Sequence, residues 1–82
     1  MEDYRYVESI LKGIVLNPSH LRIQRTEDAR GILFRINVAK PDMPFLVGKE
    51  GKNIDAIRLI MKLYAKGGTS ISVKLEEPLT AS

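Results

Sequence analysis

With 82 residues, 44% of them hydrophobic and 28% charged, the chain has material for one small domain and too little for a deep catalytic cavity. It carries no cysteine and a single histidine, which excludes disulfides, thiolate metal sites and the usual histidine-rich zinc sets. The formal charge of +3 is unevenly spread: from Arg30 to Lys66 eight bases stand against three acids, a bias that suits an anionic partner or a solvated helix face.

The first segment, DYRYVESILKGIVLNP, sets Tyr4, Val7, Leu11, Ile14 and Val15 at helical spacing, and Asn17-Pro18 is the expected stop. On that phase Tyr4 belongs to the core and Tyr6 to the surface. HLRIQR then alternates, with Leu21 and Ile23 on one side, and ILFRINV alternates again, with Ile32, Phe34, Ile36 and Val38 facing inward. A polar link, TEDARG, joins the two runs, so they read as a β-hairpin with one buried face.

In KPDMPFLVG, Asp42 suits an N-cap and Pro44 a first helical turn, predicting a short helix over Met43 to Val47 that Gly48 breaks. A second helix is expected from about Lys52 to Lys66, with Ile54, Ile57, Met61 and Tyr64 inward and Gly67-Gly68 as its cap. SISVKLEE alternates once more, with Ile71, Val73 and Leu75 inward. The order α-β-β-α-α-β predicts a two-layer α+β domain over residues 1–77, followed by a disordered tail over 78–82. Its three-stranded mixed sheet has helices on one face, with the last strand parallel to the second.

The turn between the two middle helices carries the candidate chemistry. In LVGKEGKN, Gly48 and Gly51 permit left-handed backbone and close approach, and the turn opens directly onto a helix N-terminus, where free N–H groups favour an anion. Lys49 and Lys52 add charge there, and Asn53 follows. Leu46, Val47, Ile54 and Ile57 are expected to wall a groove beside it. Neither a Walker loop nor a dinucleotide fingerprint fits: Leu46 stands where the former needs its first glycine, and a helix precedes the turn where the latter needs a strand. By itself a G-x-x-G turn is equally a steric device of helix packing.

FLVGKEGKNIDAIRLIMKLYA, however, resembles the signature of the KH domain: an apolar pair, G-x-x-G, a basic residue, then Ile-x-x-Ile. The element order resembles the type II KH arrangement, and the size resembles the small bacterial KhpA family; the likeness spans about Tyr4 to Glu76. It implies binding of single-stranded RNA through Gly48, Lys49, Glu50, Gly51, Lys52 and Asn53, an RNA-chaperone or post-transcriptional regulatory role, and pairing with itself or with a KhpB-type KH protein. Glu50 departs from the pattern, because an acid there faces the phosphates and weakens the grip.

A protein-interaction module with a vestigial groove is the alternative, supported by Leu59, Ile60 and Leu63, which extend the apolar surface of the long helix. No enzymatic activity and no cofactor are expected: His20 has no nucleophile-base set near it, and Glu27-Asp28 and Glu76-Glu77 read as solvated charge. The acidic opening MEDYRYVE and the absence of an apolar run of ~18 residues predict a cytoplasmic protein without a membrane segment.

Overall fold

A computed structural model describes residues 2–65 and 69–76. The expected Gly67-Gly68 cap and the tail over 78–82 lie outside them. The first helix, α1 (Glu2–Lys12), has Glu2 and Asp3 in its first turn and Lys12 in its last, the charge order that a helix dipole favours. Val7 and Leu11 are buried. The helix ends earlier than Asn17-Pro18 would require. Gly13, a weak helix former, donates to the carbonyls of Ser9 and Ile10 and the chain turns away. Val15 is nonetheless buried and Ile14 half-buried, so both reach the core from the turn rather than from the helix.

A turn of 3-10 helix at Pro18–His20 leads into β1 (Arg22–Asp28), which pairs antiparallel with β2 (Gly31–Asn37). Thr26, Glu27 and Asp28, expected in the link, instead lengthen β1, and only Ala29 and Arg30 remain as the turn. Asp28 steadies this turn by accepting the Arg30 N–H at 2.8 Å. Gly31 begins β2 with φ 132°, where a Cβ would run into the Ser70 carbonyl. The last strand, β3 (Ile71–Leu75), lies parallel to β2 in register Ile32↔Ile71, Phe34↔Val73 and Ile36↔Leu75, giving the order β1-β2-β3. The α+β arrangement with a mixed three-stranded sheet and three helices is therefore the one expected.

The alternation in β2 and β3 does what alternation in a half-covered sheet must do. Ile32, Phe34, Ile36, Ile71 and Val73 are buried, and α1, α2 (Met43–Val47) and α3 (Lys52–Tyr64) supply Leu11, Leu46, Ile57 and Met61 to the same core. Edge strand β1 contributes less, and one of its inward positions is Arg25. That guanidinium donates to Asp3 of α1 through Nε at 3.1 Å and Nη2 at 3.0 Å, with both side chains largely covered. The hydrogen bond to Asp3 raises the Arg25 pKa above its ordinary value, and the ion pair ties α1 to the sheet edge. Tyr4 packs against the core, while Tyr6 is exposed and stacks on Tyr64 with ring centroids 4.8 Å apart. Among the described residues no helix is long and apolar enough to cross a membrane.

Candidate nucleic-acid interface

The approach to the glycine turn begins at Asp42, which stands at the N-cap position of α2 as expected but does not cap it with its side chain. A 3-10 turn at Lys40–Asp42 runs directly into α2, so Asp42 already has helical dihedrals (φ −86°, ψ −15°) and makes no capping bond. A capping side chain needs the extended backbone that this phase denies it. The carboxylate turns inward instead and is fully buried. It accepts the Leu16 N–H at 3.2 Å, the Asn17 N–H at 2.9 Å and the Asn17 side-chain amide at 3.2 Å. Asp42 thus brackets the α1–β1 connection to the base of α2.

From α2 the chain enters the turn. The Gly48 N–H closes the helix on the Pro44 carbonyl at 2.8 Å, and Gly48 itself lies at φ 76°, ψ 174°. A Cβ at this position would come within 2.6 Å of the Asn53 side chain. Asn53 in turn donates through Nδ2 to the Phe45 carbonyl at 2.7 Å. The two glycines therefore do different work. Gly48 is required both for its dihedral and for the strut that Asn53 makes beneath it. Gly51, at φ 76° and ψ 14°, needs only its left-handed dihedral, since a Cβ there would find nothing nearer than Ile54 at 4.0 Å.

Glu50 is also left-handed, at φ 57°, the sole non-glycine residue of this kind among those described. Three of the four residues from Gly48 to Gly51 thus have positive φ, which folds the loop tightly back before α3 begins. Gly51 is the N-cap of α3 and brings no side chain to satisfy its first turn. Lys49, Glu50, Lys52 and Asn53 are exposed around that helix end. Among the described residues neither Lys49 nor Lys52 is in an ion pair. The result is a corner where two free ammonium groups flank an uncapped, positive helix terminus, with one carboxylate among them.

The apolar residues expected to wall a groove are mostly beneath it. Leu46 has no accessible surface, Ile57 has 2% and Ile54 5%, so their side chains support the loop from the core; Val47 alone keeps appreciable surface. Two further residues at this site were not expected. Phe45 is 49% exposed beside the loop. Arg58 on α3 donates through Nε to the Val73 carbonyl of edge strand β3 at 3.2 Å and lies 3.6 Å from Asp55, carrying positive charge along the helix that leaves the loop. Arg58 stands off the buried stripe Ile54-Ile57-Met61, and that phase is the signal by which it is found; the short apolar run of α2 carries no such signal for Phe45.

Residues 5–76 match the family described as KhpA/KhpB, KH domain. The chain is 32% identical over 73 residues to the RNA-binding protein KhpA of Chlamydia pneumoniae, covering 88% of this chain and 94% of that one. To the protein of the same name from Chlamydia caviae it is 30% identical over the same shares. A similar protein from Caldanaerobacter subterraneus subsp. tengcongensis is 32% identical over 59 residues, 72% of this chain and 79% of the relative. No solved structure matches at comparable stringency.

Proposed function

The chain belongs to the KhpA/KhpB family of KH domains, and from that membership we propose that it binds single-stranded RNA as a non-catalytic RNA chaperone or post-transcriptional regulator. One observation carries the reading. The Gly48–Lys52 turn folds back on three residues of positive φ and opens onto the start of α3, which no side chain caps, with Lys49 and Lys52 exposed there and, among the described residues, in no ion pair. Phosphate groups satisfy that arrangement without any demand on base identity, so the grip is tolerant of sequence. A cytoplasmic location goes with this function. Binding to a short single-stranded RNA at two salt concentrations tests it. Each phosphate neutralised contributes a slope of about −0.7 in log affinity against log salt. A flat response, or none, sinks the proposal.

Glu50 sets the strength of the grip. Replacing it by Gly removes one like charge from the phosphate path, and replacing it by Lys reverses that charge. Titration of labelled RNA should show tightening of roughly fivefold for each unit of charge, the worth of such a contact in solvent. The Lys variant should also steepen the salt slope by about 0.7. Unchanged affinity in both variants would mean that the carboxylate points away from the nucleic acid.

A second reading, a protein-interaction module, is favoured by one feature of α3. Leu59 and Leu63, one turn apart, are 58% and 76% exposed, whereas Ile60 beside them is half-buried. In this proposal the two readings join: a second KH domain, either another copy of this chain or a KhpB-type partner, covers the leucines, and two weak grooves then act on one RNA. Light scattering should find the parent dimeric, and Leu59→Gln with Leu63→Gln shifted towards monomer while circular dichroism stays that of the parent. RNA affinity should fall with the dimer. A monomeric parent counts against this interface, and an unfolded variant would assign the leucines a part in the core.

A further inference from the structure

In α2, Leu46 is completely buried, yet the ring before it is half in water. The backbone beneath Phe45 is fixed from both sides: its carbonyl accepts the Asn53 amide at 2.7 Å, and the helix closes one residue earlier, at the Pro44 carbonyl, on the Gly48 N–H. Phe45 and Gly48 are three residues apart, so Phe45 lies on the face of α2 from which the loop departs, its Cβ tilted back towards the start of the helix. The same face continues towards Leu16, which is 67% exposed and whose N–H is bonded to Asp42, one turn before Phe45. Core packing does not use this ring, and it is held on a rigid base beside two free lysines.

We infer that Phe45 is a stacking platform for one nucleobase of the RNA whose phosphates the Gly48–Lys52 turn grips; the inference rests on the RNA-binding reading above. The area favours a base over a protein. A phenylalanine and a leucine offer far less than the ~800 Å² per partner of a stable protein interface, while one aromatic ring is matched in size to one base. Charge favours it too, since Lys40, Lys49 and Lys52 are all exposed around α2 and the loop against one exposed acid there, Glu50, while Asp42 is buried. Every base has a π-face, so a stacking site leaves the grip tolerant of sequence.

The chain contains no tryptophan, so Phe45→Trp puts its only tryptophan at the platform, where its emission can be excited apart from that of the three tyrosines. A short oligoadenylate and an abasic oligomer of equal length, which keeps the phosphates and loses the bases, are titrated against the parent, Phe45→Trp and Phe45→Leu. Phe45→Leu should bind the oligoadenylate about 5- to 20-fold more weakly, with an unchanged salt slope because no phosphate contact is lost. Phe45→Trp should bind at least as well as the parent, its emission quenched by oligoadenylate and not by the abasic oligomer. Parental affinity in Phe45→Leu, or full binding without quenching in Phe45→Trp, overturns the platform and leaves the phosphate grip standing. A parent that binds neither oligomer overturns the RNA-binding reading, and the platform with it. A Phe45→Leu variant that keeps its RNA affinity but changes its mass in light scattering would make the ring a protein contact, which also overturns the inference.

Discussion

Replacing Lys49 and Glu50 together by aspartate should abolish RNA binding and leave the melting temperature near that of the parent. Both side chains are exposed, and among the described residues neither makes a hydrogen bond or an ion pair, so the fold loses nothing through them. Position 50 is left-handed, a conformation that aspartate tolerates better than most residues, so the backbone is not strained by the exchange. The electrostatic consequence is large. One attractive charge becomes repulsive and a second carboxylate remains beside it, at the place where phosphates must come closest. Two unit charges of change at such contacts amount to at least about 2 kcal/mol, or roughly 30-fold in affinity. Anisotropy titration with RNA and a thermal melt by circular dichroism together decide the matter. Normal binding by the double variant would show that the loop is not the phosphate grip. Lost binding with a collapsed melt would show instead that the loop is a structural element.

How much of this was legible beforehand depends on the range of the interaction concerned. The burial of Ile32, Phe34 and Ile36, of Ile71 and Val73, and the parallel return of β3 follow from alternation and connection rules, and these need only neighbouring residues. The glycine turn was legible for the same reason, because positive φ is a demand made locally on the residue itself. What could not be read is decided across the chain. Arg25 occupies an inward strand position because Asp3, 22 residues earlier, is there to receive it. The Asp42 carboxylate leaves its own helix uncapped because its partners lie 25 and 26 residues away. In the unbroken apolar run Phe45-Leu46-Val47, periodicity alone cannot say which residue meets the sheet and which meets solvent. Packing of α2 on α3 settles it, burying Leu46 and leaving Phe45 out.

Asp42 gives the largest effect expected on the fold. Asp42→Ala leaves two backbone N–H groups and the Asn17 amide, all partly covered next to α2, without their buried acceptor. An abandoned buried donor costs about 1–3 kcal/mol, and with partial relaxation of the Leu16–Asn17 segment the variant should lose about 2–4 kcal/mol. For a domain of this size that is a fall in melting temperature of roughly 10–25 °C. Asp42→Asn should lose part of the same stability. Leu16 and the Asn17 side chain donate to one carboxylate oxygen and the Asn17 N–H to the other, so an amide must turn its NH2 towards at least one donor. Hydrogen exchange should quicken first at Leu16 and Asn17, and the loop at Gly48 should lose order with the helix that leads into it. Measured on ice, where the variant remains folded, RNA affinity should drop by less than it does in the loop variant, because Lys49 and Lys52 are still in place. A melt of Asp42→Ala within a few degrees of the parent would mean that solvent replaces the carboxylate at no cost, and that the α1–β1 connection is held by other contacts.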